Sequence, residues 1–288
     1  MKSKIVISVI VILTFLATTP LFGQEKQAKS PKCGWQKEIV GGLNLNQTSF
    51  DNWAQGGENS FAWQVNLNLK FVNDQEKTTW SNSGKFSYGQ TKSGKEESRK
   101  SIDEIKLESV LRYKFGTYAN PYVAVTAETQ FTAGYDYGTN PRKQISAFLD
   151  PGYFRQSVGI GYQPPNNIVK TRLGVALKQT ITHNYPSPYA DDPKTKKIEK
   201  IKSEIGAESV TDVSWKISEN IIFTSKLELF SGLKALDETD VNWDNVFTAK
   251  ISKYFNVNFN VKLFYDKDIS KKRQLKQSLA MGLTCSFL

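Results

Sequence analysis

The ionisable side chains that could do chemistry stand at alternate positions. Lys170, Arg172 and Lys178 share one parity in a run that puts Leu173, Val175 and Leu177 on the other, and Glu204, Glu208 and Asp212 alternate with apolar and small residues in the next run. Arg112, Arg155, Lys226 and Lys250 hold the same kind of position elsewhere, with Lys70, Lys85, Lys106 and Lys262 and with Glu104, Glu108, Glu128, Glu228 and Asp244. Successive residues of a strand face opposite sides, so these charges line one surface and the apolar residues the other. Two chemistries are open to that surface. Ion pairs between neighbouring strands, such as Lys170 and Arg172 against Glu204, Glu208 and Asp212, would fill a narrow interior. A surplus of basic groups would instead draw in small anionic solutes, as rings of Arg and Lys do in anion pores.

Other reactive side chains carry less. His183 is the only histidine; Ser187 lies beyond Pro186 and no acidic group is placed to orient the imidazole, so no hydrolytic constellation forms and no enzymatic activity is expected. Gly56-Gly57 lacks the Gly-Lys-Ser/Thr that completes a phosphate loop and reads as a turn that lets Trp53 fold back. Asp191-Asp192 lacks the regular ligand spacing of a calcium site, and no other pattern calls for a metal or a cofactor. Cys33 and Cys285 are expected as two free thiols; a disulfide at the periplasmic rim is the alternative.

The elements that position these groups are strands of unusual length. Phe61, Trp63, Val65, Leu67, Leu69 and Phe71 alternate with Ala62, Gln64, Asn66, Asn68 and Lys70, and such a run matches the roughly 9–11 residues that a tilted strand needs to cross a bilayer. Twelve runs are expected, at residues 37–47, 60–72, 77–89, 102–115, 121–133, 153–163, 168–182, 203–216, 220–231, 241–252, 255–266 and 275–287. The third has the weakest pattern, because Asn82 and Gly84 interrupt its apolar face. Short connections alternate with long polar ones without a break, the plan of an outer-membrane barrel with short periplasmic turns and long external loops. Trp63, Tyr88, Phe154, Trp243 and Tyr265 near one set of strand ends, and Phe71, Trp80, Phe115, Tyr162, Trp215 and Phe287 near the other, suit the two interfacial girdles. A soluble barrel or sandwich would show the same alternation, but not with strands this long and an opposite face this charged. A mean hydropathy of −0.44 fits either, since only half of a barrel's strand residues meet lipid.

Residues 1–23 read as a signal peptide, with Lys2 and Lys4 before an apolar core and a small-residue cleavage site at Leu21-Phe22-Gly23. Residues 24–36 then form a periplasmic leader and residues 37–288 a closed antiparallel all-β barrel in the outer membrane of a Gram-negative envelope. The formal net charge of +10 falls by two with the signal, and its dispersal through alternating strands does not suggest nucleic acid. The final strand, ending near Phe287, looks like a signal for barrel-assembly machinery.

The segments Trp53-Ala54-Gln55-Gly56-Gly57-Glu58-Asn59-Ser60, Phe148-Leu149-Asp150-Pro151-Gly152-Tyr153, and Val241-Asn242-Trp243-Asp244-Asn245 leading into Ile251-Ser252-Lys253 resemble a family of Bacteroidota outer-membrane barrels classified as a domain of unknown function. The resemblance implies the fold and the compartment; it brings no catalytic residue. The functional expectation is a porin-like passive channel for small anionic or polar solutes, with Arg112, Arg155, Lys170, Arg172, Lys178, Glu204, Glu208, Asp212, Lys226 and Lys250 as lumen residues. The rivals are a non-conducting barrel that anchors an envelope assembly and, further off, a lipid-modifying enzyme. Lys92, Lys95, Arg99, Lys100, Lys194, Lys196, Lys197 and Lys200 in the long loops are expected to meet lipopolysaccharide phosphates.

Overall fold

The computed structural model describes residues 33–51, 54, 57–116, 118–164, 166, 168–187, 189–192, 195–233 and 238–287. The proposed signal peptide, most of the proposed leader, Trp53, Gly56 and Lys194 therefore lie outside the described residues. Twelve strands close into one antiparallel barrel: β1 (Gly34–Thr48), β2 (Ser60–Asp74), β3 (Thr78–Ser93), β4 (Arg99–Tyr113), β5 (Asn120–Thr129), β8 (Gly152–Tyr162), β9 (Val169–Ile181), β10 (Ile201–Lys216), β11 (Ile221–Gly232), β12 (Thr239–Lys250), β13 (Phe255–Tyr265) and β14 (Gln274–Ser286). A separate two-stranded hairpin, β6 (Gly134–Asp136) with β7 (Lys143–Ser146), sits within the long connection between β5 and β8. Each barrel strand pairs with its sequence neighbour, and β1 closes on β14 from Val40 opposite Ser286 to Leu45 opposite Met281. Closure leaves no sheet edge, which is the condition for a sheet to stand in lipid.

All twelve expected strands form, and the differences lie at their ends. β1 begins at Gly34, inside the stretch read as leader. The weakly patterned third strand runs on to Ser93 through a register shift at Gly89/Gln90. A Cβ on Gly89 would stand 2.6 Å from the Trp63 carbonyl oxygen, so the bulge needs a glycine. β5 stops at Thr129, short of the expected 133, because the Phe131 and Thr132 amides donate to the Asp103 carboxylate instead of to a neighbouring strand. Both cysteines are free and exposed, and the residue opposite Cys285 is Gly41.

The hydrophobic surface lies outside. Leu111, Val123, Val125, Val158, Ile160, Leu173, Val175, Ile205, Leu279 and Met281 are all exposed, and together they belt the barrel, as lipid requires and water does not. Val175→Arg, at the middle of β9, is therefore expected to lower stability by about 2–4 kcal/mol, the cost of an arginine at a bilayer midplane. Urea titration of the variant refolded into vesicles measures it; an unchanged midpoint would show that this face is not in hydrocarbon.

The external loops are tied to one another. Asp150, almost fully buried, accepts hydrogen bonds from the backbone amides of His183 (2.9 Å), Asn184 (2.6 Å) and Tyr185 (3.4 Å). Arg142 reaches Glu97 at 2.7 Å, and Arg99 lies over the Tyr137 ring, so the β6–β7 hairpin rests on the β3–β4 turn. Burial alone would raise the Asp150 carboxyl; the three amides outweigh it and hold the group below its ordinary 3.8. The clamp is thus at full strength above that value and is lost as the pH falls through the lower native one. Asp150→Ala is expected to cut hydrogen-exchange protection of the three amides roughly ten- to a hundred-fold at neutral pH, the scale of losing about 1.5–3 kcal/mol of charged hydrogen bond. Wild-type protection, corrected for intrinsic exchange, should fall the same way in acid.

Candidate functional site: the charged lumen

Small residues shape the lumen wall where β5, β8 and β9 meet. Gly159 stands opposite Gly174, and Ala124, Ser157 and Ala176 surround them. A Cβ on Gly174 would come within 2.6 Å of the Tyr122 hydroxyl, so the glycine is what lets the Tyr122 ring lie against this wall. The Arg172 guanidinium then sits 5.7 Å from that ring's centroid. Phe230, also inward and buried, carries Arg155 at 5.8 Å and Lys178 at 5.5 Å from its centroid. Aromatic rings so placed hold long cationic side chains at fixed heights.

At mid-height, ion pairs cross the lumen. Lys106 reaches Glu228 at 2.7 Å, Lys85 reaches Asp244 at 3.1 Å, Lys262 reaches Glu104 at 3.3 Å, and Lys226 reaches Glu108 at 2.6 Å. Every one of these pairs joins strands five steps apart around the twelve-strand ring, one short of opposite. Arg172 also contacts Glu108 directly, and it lies 3.7 Å from Glu208, which binds Arg155 at 3.2 Å and accepts from the Ser157 hydroxyl at 2.9 Å. Lys85 binds Glu104 as well at 2.9 Å, Lys106 binds Glu128 at 3.4 Å, and Asn242 donates to Glu228 at 2.8 Å. A cavity of about 370 Å³ remains beside this lattice, lined among others by Glu38, Asn68, Lys70, Lys85, Asp244 and Lys262.

Toward the outer mouth, carboxylates dominate a second cluster. Lys178 holds Asp240 at 2.6 Å, Asp266 at 3.0 Å and Glu204 at 3.8 Å, while Lys202 holds Glu204 at 3.1 Å and also contacts Asp268. Toward the periplasmic turns the balance reverses. Lys70 on β2, Arg112 on β4 and Lys170 on β9 lie on the inward parity at this end; Lys170 feels the charges of Lys70, Arg112 and Asp212, and Arg112 that of Asp74. Among the described residues none of the three makes an ion pair. The nearby carboxylates are engaged elsewhere: Asp74 is bound by Lys114 at 2.8 Å and Thr79 at 2.7 Å, and Asp212 leans to Lys226 at 3.9 Å. Glu38 stands opposite Lys70 in the register without closing a pair.

The residues read from sequence thus separate by height. Arg155, Arg172, Glu208 and Lys226 belong to the central lattice, Lys178 and Glu204 to the outer cluster, Arg112 and Lys170 to the periplasmic vestibule, and Asp212 to the border between vestibule and lattice. Lys250 ends β12 on the inward parity but is exposed at the rim. Pairing between neighbouring strands is the smaller part: Lys170 and Asp212 are directly opposite in the register yet form no ion pair, whereas Arg172 engages β4. Alternation assigns a face; it does not say which of several opposing walls a long side chain will reach. Lys202, Asp240, Asp266, Tyr122 and Phe230 also serve the site. Asp266 and Phe230 carry the inward parity of their strands, and Asp240 lies one residue before the expected start of its own.

Residues 45–135 match a family described as a protein of unknown function (DUF3078). No curated protein matches the sequence. Among solved structures the chain is similar to the translocator domain of the autotransporter NalP from Neisseria meningitidis, at 10% identity over 88% of this chain and 89% of that one with a TM-score of 0.42. It is likewise similar to an outer membrane channel from Pseudomonas putida F1, at 10% identity over 92% of this chain and 100% of that one with a TM-score of 0.43. A closed backbone, an apolar belt facing outward and a charged lumen make this chain an outer-membrane β-barrel.

Proposed function

We propose that the barrel is a gated passive conduit for small anionic solutes, which it receives in the periplasmic vestibule and passes when the central ion pairs part. The observation that carries this reading is the contrast between two sets of lumen cations. Lys85, Lys106, Arg155, Arg172, Lys226 and Lys262 each have carboxylate partners, while Lys70, Arg112 and Lys170 close no ion pair among the described residues. Cations that line one mouth of the lumen, Arg112 and Lys170 half-buried and Lys70 exposed, repel each other, and an anion among them removes that repulsion. The plug consists of long flexible side chains and not of packed apolar groups, so it can rearrange by rotamer changes without disturbing the barrel wall.

The proposal assigns the barrel no enzymatic step; at the Asp150 clamp His183 takes part through its backbone amide. Contacts with lipopolysaccharide phosphates fall to Lys92, Lys95, Lys196, Lys197 and Lys200, since Arg99 pairs with Glu96 at 3.0 Å and Lys100 with Asp103 at 3.0 Å. Assembly machinery is the partner expected for the terminal strand.

Flux assays with vesicles test the reading. Radiolabelled phosphate or acetate should enter vesicles holding the refolded barrel faster than a cation of similar size. Equal rates for anion and cation would rule out the anion preference, and no flux for either under any condition that leaves the barrel folded would favour the anchoring role instead.

A further inference from the structure

We propose that the lipid-facing side of β1–β3, at its periplasmic end, binds one anionic phospholipid of the inner-facing leaflet, with the phosphate held by Lys37 Nζ and the Asn82 carboxamide. The site stands apart from the lumen and does not depend on its function. The outward residues of these strands fall into rows in register. Trp35, Asn73 and Trp80 form the lowest, Lys37, Phe71 and Asn82 the next, and Ile39, Leu69 and Gly84 the one above. The polar and aromatic rows therefore end where the apolar belt begins, at the height where headgroups meet acyl chains.

A groove of about 440 Å³ is lined there by Trp35, Lys37, Phe71 and Asn82. Its lower wall is the contact between Trp35 and Trp80, whose ring centroids are 5.9 Å apart. Its polar group is oriented in advance. Trp80 Nε1 donates to the Ser109 hydroxyl at 2.9 Å, and that hydroxyl donates to Asn82 Oδ1 at 2.8 Å. The Asn82 carboxamide is thereby fixed with its NH₂ as the remaining donor.

Elsewhere on this rim, outward polar groups answer each other, as Thr171 and Thr211 do at 2.9 Å. Lys37 is exposed and has no carboxylate partner among the described residues. An ammonium and an amide NH₂ on a lipid-facing groove, walled by indole and phenyl rings, complement a phosphate carried on an apolar body. The bilayer presents that group at this height.

Native mass spectrometry of the purified barrel tests the assignment, after incubation in detergent with equal amounts of phosphatidylglycerol and phosphatidylcholine of matched acyl chains. Wild type should retain one phosphatidylglycerol in several-fold preference to phosphatidylcholine. Lys37→Gln should abolish the preference, Lys37→Arg should keep most of it, and Lys216→Gln, at the periplasmic end of β10, should leave it unchanged. Heat-modifiable gel mobility verifies folding of each variant. Equal retention of the two lipids by wild type, or undiminished preference in folded Lys37→Gln, would overturn the proposal.

Discussion

Glu108→Ala is expected to destabilise the barrel and at the same time to open it. The carboxylate holds two cations from different walls, Arg172 on β9 and Lys226 on β11, so its loss leaves both in the lumen centre with weaker partners only: Glu208 at 3.7 Å for Arg172, and Glu228 at 3.8 Å with Asp212 at 3.9 Å for Lys226. Removing one member of a buried ion pair costs about 3–5 kcal/mol. The residual partners place this variant at about 3 kcal/mol, read as a lower urea midpoint in vesicles. In a planar bilayer the same variant should conduct more often than wild type, because a link that crosses the lumen is gone. Glu108→Gln keeps the shape and one acceptor and should fall between the two. An unchanged urea midpoint in Glu108→Ala would mean that the lattice does not hold the walls together.

The second large effect is on ion preference. Replacing Lys70, Arg112 and Lys170 together with glutamate exchanges three unpaired positive charges for three negative ones in a confined vestibule, where solvent screens them less than at an open surface. On a Glu108→Ala background, so that current is measurable, the reversal potential across a salt gradient should change sign, from anion-preferring to cation-preferring. Each single replacement should move it part of the way. Lys250→Glu, at the exposed rim, should move it least, since its charge is screened by bulk electrolyte. A reversal potential indifferent to the triple change would show that the vestibule does not lie on the ion path.

The sequence carried the wall of this molecule almost completely, because a strand's two faces are written in successive residues and the length of each run is set by the bilayer. Ile105, Leu107 and Leu111 and the inward Glu104, Lys106 and Glu108 could be assigned by parity alone. What parity cannot carry is distance across the lumen. Lys106 and Glu228 stand 122 positions apart and meet only because the ring closes at twelve strands with β4 and β11 facing each other. The partition of cations into paired and unpaired sets depends on that closure and was legible only as an overall basic surplus. The loop structure was hidden for a different reason: the Asp150 clamp is built from backbone amides, which every residue has, so no side-chain pattern announces it.

The central claim is that ion pairs close the lumen and that, once they part, its unpaired cations favour anions. Single-channel recording of the unmodified refolded barrel under a salt gradient tests it most directly. Wild type should be mostly silent at low salt. Its openings should become more frequent toward about 1 M, where the screening length is about 3 Å and exposed charge attractions weaken, and its reversal potential should have the sign of anion preference. A steady conductance at low salt would contradict the closure, and openings with cation preference would contradict the vestibule.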